Sequence, residues 1–168
     1  MLRRTLLLAV PAASAMGLTA CGFALRQAPN YPFTTIFVRV AEASSLGNEL
    51  KRNLAAGGKL EVVTDPKRLD SVEVVLEITA DQREKSVASL TSAGQVREFQ
   101  LRTRVRFRLR TPQGNELIAD TEILQQRDIS YTETQALSKE AEEQLLYRNM
   151  QTDVVQQIMR RLAAVQAL

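Results

Sequence analysis

Histidine and tryptophan are absent from this chain of 168 residues, and cysteine occurs once, at Cys21. Without histidine, neither a Ser-His-Asp triad nor a Cys-His nucleophile pair can be assembled, and the commonest zinc ligand is missing. A single cysteine excludes any disulfide within the chain. An excess of one charge is lacking too, with 22 Lys and Arg against 19 Asp and Glu. No apolar run reaches the roughly 20 residues that a membrane-spanning helix needs. What is present is ordinary: 45% apolar and 24% charged residues are the averages of globular proteins, and the length suits one domain with a real core. The expectation is a protein that is not an enzyme and needs no cofactor or metal.

Arg3 and Arg4 precede an apolar run from Leu6 to Val10, the small residues Ala12 to Ala15, and then Leu18-Thr19-Ala20-Cys21. A basic start, a short apolar core and a small-residue end are the parts of an export leader, read here as residues 1–20. Its last residues resemble the bacterial lipobox, at which the Cys thiol takes a diacylglycerol and the leader is cut just before it. Each buried acyl CH₂ contributes about 0.8 kcal/mol, so several chains on Cys21 would hold a soluble domain on a membrane. Loss of Arg3 and Arg4 leaves 20 basic against 19 acidic side chains. That near balance gives no ground for nucleic-acid binding from net charge. By resemblance to Gram-negative lipoproteins, Gly22 where Asp would signal retention implies passage to the outer membrane.

Residues 21–33, with Pro29 and Pro32, read as a short lipidated tether, and residues 34–168 as the folded domain. Thr34 to Ala41 alternates with period two and predicts a strand. Leu46, Leu50 and Leu54 predict a helix that Gly57-Gly58 stops. Leu60 to Thr64 predicts a second strand, ended by an Asp65-Pro66 turn. Val72, Val74, Leu76, Ile78 and Ala80 then share one face of a strand, with Glu73, Glu77 and Asp81 on the other. After Gly94, Phe99, Leu101, Val105, Phe107 and Leu109 oppose Arg102, Arg104, Arg106, Arg108 and Arg110. A third segment puts Leu117, Ala119, Thr121 and Ile123 inside, so these three form an antiparallel meander. From Ser138, a plausible N-cap, Leu145, Leu146, Met150, Val154, Val155, Ile158, Leu162 and Val165 mark the stripe of a long helix, with Glu140, Glu142 and Glu143 complementing its positive end.

Five arginines at period two invite an anion-binding reading, but cross-strand acids offer a simpler one. A three-residue loop ending at Gly114 places Arg106 opposite Asp120 and Arg104 opposite Glu122. A two-residue Ala93-Gly94 turn places Arg110 opposite Glu77 and Arg106 opposite Asp81. The central arginines are thus expected to form an ion-pair lattice. Towards the Ala93-Gly94 tip the acids run out, which leaves Arg83, Lys85, Arg97 and Arg102 as the better anion-binding group.

Several stretches together carry a resemblance. Leu18-Thr19-Ala20-Cys21-Gly22-Phe23-Ala24-Leu25-Arg26, Ser92 to Leu101, Arg127-Asp128-Ile129-Ser130-Tyr131, and Ala136-Leu137-Ser138-Lys139-Glu140 with the helix after it follow one another in the order and spacing of the lipopolysaccharide-assembly lipoprotein family LptE, also called RlpB. The resemblance covers nearly the whole chain. It implies an α+β fold in a single domain, two helices packed on one face of a mixed, mostly antiparallel four-stranded sheet. It also implies a plug in the lumen of an LptD-type outer-membrane β-barrel, facing the periplasm, that takes part in inserting lipopolysaccharide into the outer leaflet. Lys139 matches a basic position tied to lipopolysaccharide binding in the family. The family's other such position falls at Ser92 here, so Arg97 or Arg83, with Lys85 nearby, would have to supply the second charge. Two other readings stay open: an independent periplasm-facing lipoprotein adaptor or chaperone for other anionic lipids or peptides, and a hydrolase using carboxylates such as Glu140 and Glu143.

Overall fold

The computed structural model describes residues 29–132, 134 and 136–166. The leader, Cys21, Gly22 and the first part of the tether lie outside them. The chain runs β1 (Thr35–Arg39), α1 (Ser45–Ala56), β2 (Glu61–Val63), a 3₁₀ segment (Pro66–Ser71), β3 (Val74–Leu90), β4 (Val96–Arg110), β5 (Glu116–Ser130) and α2 (Ala136–Ala163). The sheet has five strands in the order β2-β1-β3-β4-β5, not four. It is mixed: β1 is parallel to both β2 and β3, and β3-β4-β5 is the antiparallel meander. The fold implied by resemblance is corrected by the short strand β2, which the alternation at Leu60 to Thr64 anticipates.

Local signals explain the element ends. Ser44 caps α1, its Oγ accepting from Gly47 N at 3.0 Å. Leu46, Leu50 and Leu54 are its buried stripe, and Gly58, at φ +67°, lets the chain turn away. Asp65 accepts from Lys67 N at 2.9 Å and starts the 3₁₀ segment with Pro66 at its first position. The last tether residues belong to the domain: Phe33 is buried and Tyr31 stacks on it with centroids 5.6 Å apart. The long helix starts at Ala136, so Ser138 lies within it and is not its cap. Leu145 on the predicted stripe is exposed, and Val165 follows the helix end.

One core cluster joins Ile36, Val38, Val74, Leu76, Phe107 and Leu109 of the sheet to Leu46, Leu50 and Leu54 of α1 and Val154, Val155, Ile158 and Leu162 of α2. A smaller cluster, Phe37, Val63, Val72 and Val75 with Leu69, is covered by the 3₁₀ segment. The stretch Val74-Val75-Leu76 is therefore buried on both sides, as a strand with two covered faces must be. Helix α1 approaches β1 closely: a Cβ on Gly47 would lie 2.4 Å from Val40 Cγ1. Gly to Ala in an open helix gains roughly 1 kcal/mol. Here Gly47→Ala is expected to lose about 1–3 kcal/mol by overpacking, with Val40→Ala restoring part of it. Urea denaturation midpoints of the single and double variants check both signs.

The meander departs from the predicted register in β3, in β5 and at one of its loops. Both hairpins have the same three-residue loop: Thr91 N donates to Gln95 O at 2.8 Å around Gly94 (φ +79°), and Thr111 N donates to Asn115 O at 2.8 Å around Gly114 (φ +101°). The Gly114 loop is as predicted, whereas the Gly94 loop has three residues, not two. Then β3 bulges at Thr79, where pairing passes from Ile78↔Phe107 to Ala80↔Arg106. Beyond that point the face assignment reverses. Asp81, Arg83 and Lys85 pair with Val105, Thr103 and Leu101 on the helix side, while Gln82 and Glu84 pair with Arg104 and Arg102. Irregularities in β5 between Thr121 and Glu116 likewise leave Ala119 exposed where the alternation puts it inside.

Candidate functional site

On the open face of the sheet the arginines are paired. Arg106 meets Asp120, and Arg104 lies 3.9 Å from Glu122, although the bulged register sets Arg106 opposite Glu122. Long side chains reach diagonally, which keeps the predicted partners in a shifted ladder. Glu77 receives three guanidinium groups: Arg39 at 3.1 Å, Arg108 at 2.5 Å and Arg110 at 2.8 Å. Burial raises the pKa of Glu77, and hydrogen bonds from Arg110 and Arg108 outweigh it, holding the carboxyl below its ordinary value. Asp81 does not meet Arg106, because the Thr79 bulge turns it to the other face. This surface is an ion-pair lattice in which five guanidinium groups share three carboxylates.

The cations near the Gly94 loop have a different fate, because the bulge sends them under α2. Lys85 Nζ lies 2.6 Å from Glu143 Oε2 and 4.3 Å from the Phe99 ring centroid. Arg83 donates to Gln151 Oε1 at 2.8 Å and lies over the Tyr147 ring at 5.4 Å. Gln151 also accepts from Ser45 at 2.7 Å and donates to Glu49 at 2.6 Å, so Arg83 is tied into a junction of β3, α1 and α2. Burial, with Glu143 beside it, raises the pKa of the Tyr147 phenol, which donates to Glu84 O at 2.8 Å. Lys139, in the first turn of α2, donates to Ser130 Oγ at 3.1 Å and pairs with Glu142 at 2.8 Å. Arg97 is exposed beside the loop, its backbone O accepting from Tyr131 N at 2.8 Å. Arg102 donates to Gln100 Oε1 at 2.7 Å.

Lys85 and Lys139 converge on one groove of about 320 Å³ between the start of α2 and the ends of β3, β4 and β5. Phe99, Ile129, Tyr131 and Leu137 give it an apolar wall, and Leu137 is 85% exposed. Phe99 and Tyr131 pack edge to face with centroids 5.2 Å apart. Two ammonium groups beside exposed apolar surface can take a ligand that is anionic at one end and greasy at the other. Arg83 and Arg97 do not line it. The apolar wall is the part that sequence reading missed: Ile129 and Tyr131 continue an alternation from Ile123 past the point where the third segment was expected to stop. Among the described residues no group of three or more Asp, Glu and Cys is placed to hold a metal ion.

The groove is remote from the tether. The first residues of β1 sit beside Val74, next to the end of β4 and the Gly114 loop, where the C-terminus of α2 also arrives. The groove lies towards the Gly94 end, at Phe99 of β4, eleven residues from Arg110 at the strand's other end; at about 3.3 Å per residue that is roughly 36 Å.

A family model described as lipopolysaccharide-assembly, LptE, matches residues 33–162. The solution structure of lipoprotein B from Nitrosomonas europaea is similar at 35% identity and a TM-score of 0.73, covering 85% of this chain and 91% of that one. The rare lipoprotein B of Shewanella oneidensis shares 24% identity, with a TM-score of 0.65 over 78% of this chain and 95% of that one. A minor lipoprotein of Acinetobacter baumannii, 18% identical, shares the fold with a TM-score of 0.61 over 79% and 92%. No curated protein sequence gives a significant match.

Proposed function

The chain belongs to the lipopolysaccharide-assembly family LptE, a family of non-enzymatic envelope lipoproteins, and from that premise we propose that it fills the lumen of an LptD-type β-barrel and binds lipopolysaccharide in the Lys85–Lys139 groove. The observation that carries this reading is the groove's composition and its place at the end opposite the tether. Cys21, lipidated, would fix the tethered end at the periplasmic surface of the outer membrane. A body about 50 Å long, by the length of β4, then matches a bilayer of roughly 40–45 Å with its headgroup regions. Its far end can reach the level at which the outer leaflet begins.

The open face suits a polar barrel interior. A barrel wide enough for a lipid amphiphile leaves a wet lumen that must be filled. The Arg-Glu lattice around Glu77, Asp120 and Glu122 is polar and mostly ion-paired, so it can sit against such a wall. Lipid A phosphates call for ammonium or guanidinium partners, and its acyl chains for surface such as Phe99, Ile129 and Leu137.

Two measurements test the reading. Lys85→Ala with Lys139→Ala is expected to weaken binding of labelled lipopolysaccharide about tenfold or more, with an unchanged thermal midpoint. Equal binding by wild type and double variant would remove the groove from the function. Purification of the native protein in detergent is expected to recover a large β-barrel; a lone monomer that still binds anionic lipid would favour the independent adaptor.

A further inference from the structure

The positive charge of the groove is already matched. Glu140 and Glu143 of α2 line it beside Lys85 and Lys139, and Glu142, next to the lining, pairs with Lys139. Neither ammonium is waiting for a ligand, since Lys85 is held by Glu143 at 2.6 Å and Lys139 by Glu142 at 2.8 Å. The helix dipole does not account for these acids. It acts within the first turn, and the first turn of α2 contains no acid. Each pair has one member open to water and one largely covered: Lys85 and Glu142 keep 39% and 46% of their side-chain exposure, Glu143 and Lys139 17% and 16%, so solvent screens both pairs in part and limits what they add to stability.

We propose that Glu142 and Glu143 are competitors built into the groove, occupying its two ammonium groups until ligand phosphates displace them. The inference rests on the reading of this groove as the seat of a phosphorylated glycolipid. A phosphate has up to two charges and three free oxygens, so it outbids a single carboxylate for an ammonium group. Displacement is easiest at Glu142, which is already half in water, while Glu143, with 17% of its side chain exposed, gains hydration once freed. The consequence is a site that recognises phosphate but holds it loosely, as a protein must when its ligand is to be handed on and not stored. The two competitors are consecutive residues on one helix, while the cations they hold come from β3 and α2. A small shift of the first turns of α2 would therefore part Glu143 from Lys85, whereas Glu142 and Lys139, one turn apart on the same helix, would move together and part only by side-chain rotation.

The test uses the full-length lipidated protein in detergent, with fluorescent lipopolysaccharide and the same glycolipid stripped of its phosphates as probes. Glu142→Gln with Glu143→Gln keeps side-chain shape and removes the competition. It is expected to tighten binding of the phosphorylated probe about threefold to tenfold, slow its release, and leave the dephosphorylated probe unchanged. Equal or weaker binding, or an equal gain for both probes, would overturn the proposal and make the acids mere holders of the lysines. The Lys85→Ala/Lys139→Ala variant separates the two levels. If it binds as wild type does, the groove itself is not the site; if it weakens while the Gln variant does not tighten, only the competition is wrong.

Discussion

Phe107→Ala is expected to lower the unfolding free energy by about 3–5 kcal/mol, the range for emptying a fully buried aromatic site. Phe107 has no exposed surface and heads the large side chains of the core. Ile78 and Thr121 lie opposite it on the neighbouring strands, and Arg161 of α2 covers its ring at 5.8 Å. Collapse around the gap is hindered, because β4 is the central strand of the meander and is bonded along both edges. At about 4 °C per kcal/mol for a domain of this size, the thermal midpoint should fall by more than 10 °C. A calorimetric fall of only a few degrees would show that α2 settles into the space.

Glu77→Gln is the second large effect, and its cause is electrostatic. The carboxylate is nearly buried, with 6% of its side chain exposed, whereas its partners Arg39, Arg108 and Arg110 keep 53%, 45% and 20%. Removing its charge strands Arg110 most, the least exposed of the three. Breaking a buried pair costs about 3–5 kcal/mol, and the solvent reaching Arg39 and Arg108 reduces that here to about 2–3 kcal/mol. The pH dependence follows from the lowered pKa of Glu77. A carboxyl whose pKa is lower folded than unfolded adds stability that is fully present above its unfolded pKa and is lost as pH falls through the folded one. Wild type should lose stability on acidification below the ordinary Glu range, and Glu77→Gln should lose correspondingly less. Parallel acid titrations of the two would contradict this account.

Much of the architecture is written in local pattern. Period-two alternation around Phe107 and Leu109, the Leu46-Leu50-Leu54 spacing and the apolar stripe at Val154, Val155 and Ile158 reflect the one-sided burial that the core imposes. Five strands were legible too; only the resemblance to the family suggested four. What failed was register. Thr91-Ser92-Ala93-Gly94-Gln95 and Thr111-Pro112-Gln113-Gly114-Asn115 share a pattern in which the Thr Oγ1 accepts from the backbone N four residues on, at 3.2 Å in both. Recognising the second loop in the first would have set the turn correctly. The bulge at Thr79 has no such mark, since Ile78-Thr79-Ala80 reads as continuous alternation. Its cause is tertiary. Glu77 must stay with Arg39 and Arg108 on one face, while Lys85 and Arg83 meet Glu143 and Gln151 on the other. For the same reason Lys85 and Lys139 were identifiable as basic residues of interest, but their meeting in one groove and their pairing with α2 were not.

That extra residue makes β3 a strand spliced from two reading frames. Up to Ile78 its odd-numbered side chains belong to the sheet face turned away from the helices; from Asp81 to Lys85 the odd numbers lie on the helix side. The same residues in unbroken alternation, with Thr79 taking a partner of its own on β4, would keep composition and charge. They would nonetheless turn Arg83 and Lys85 outward and push Gln82 and Glu84 under α2, leaving the groove without its strand-borne cation. The make-up of the groove is thus set as much by one unpaired residue in β3 as by which residues the strand contains.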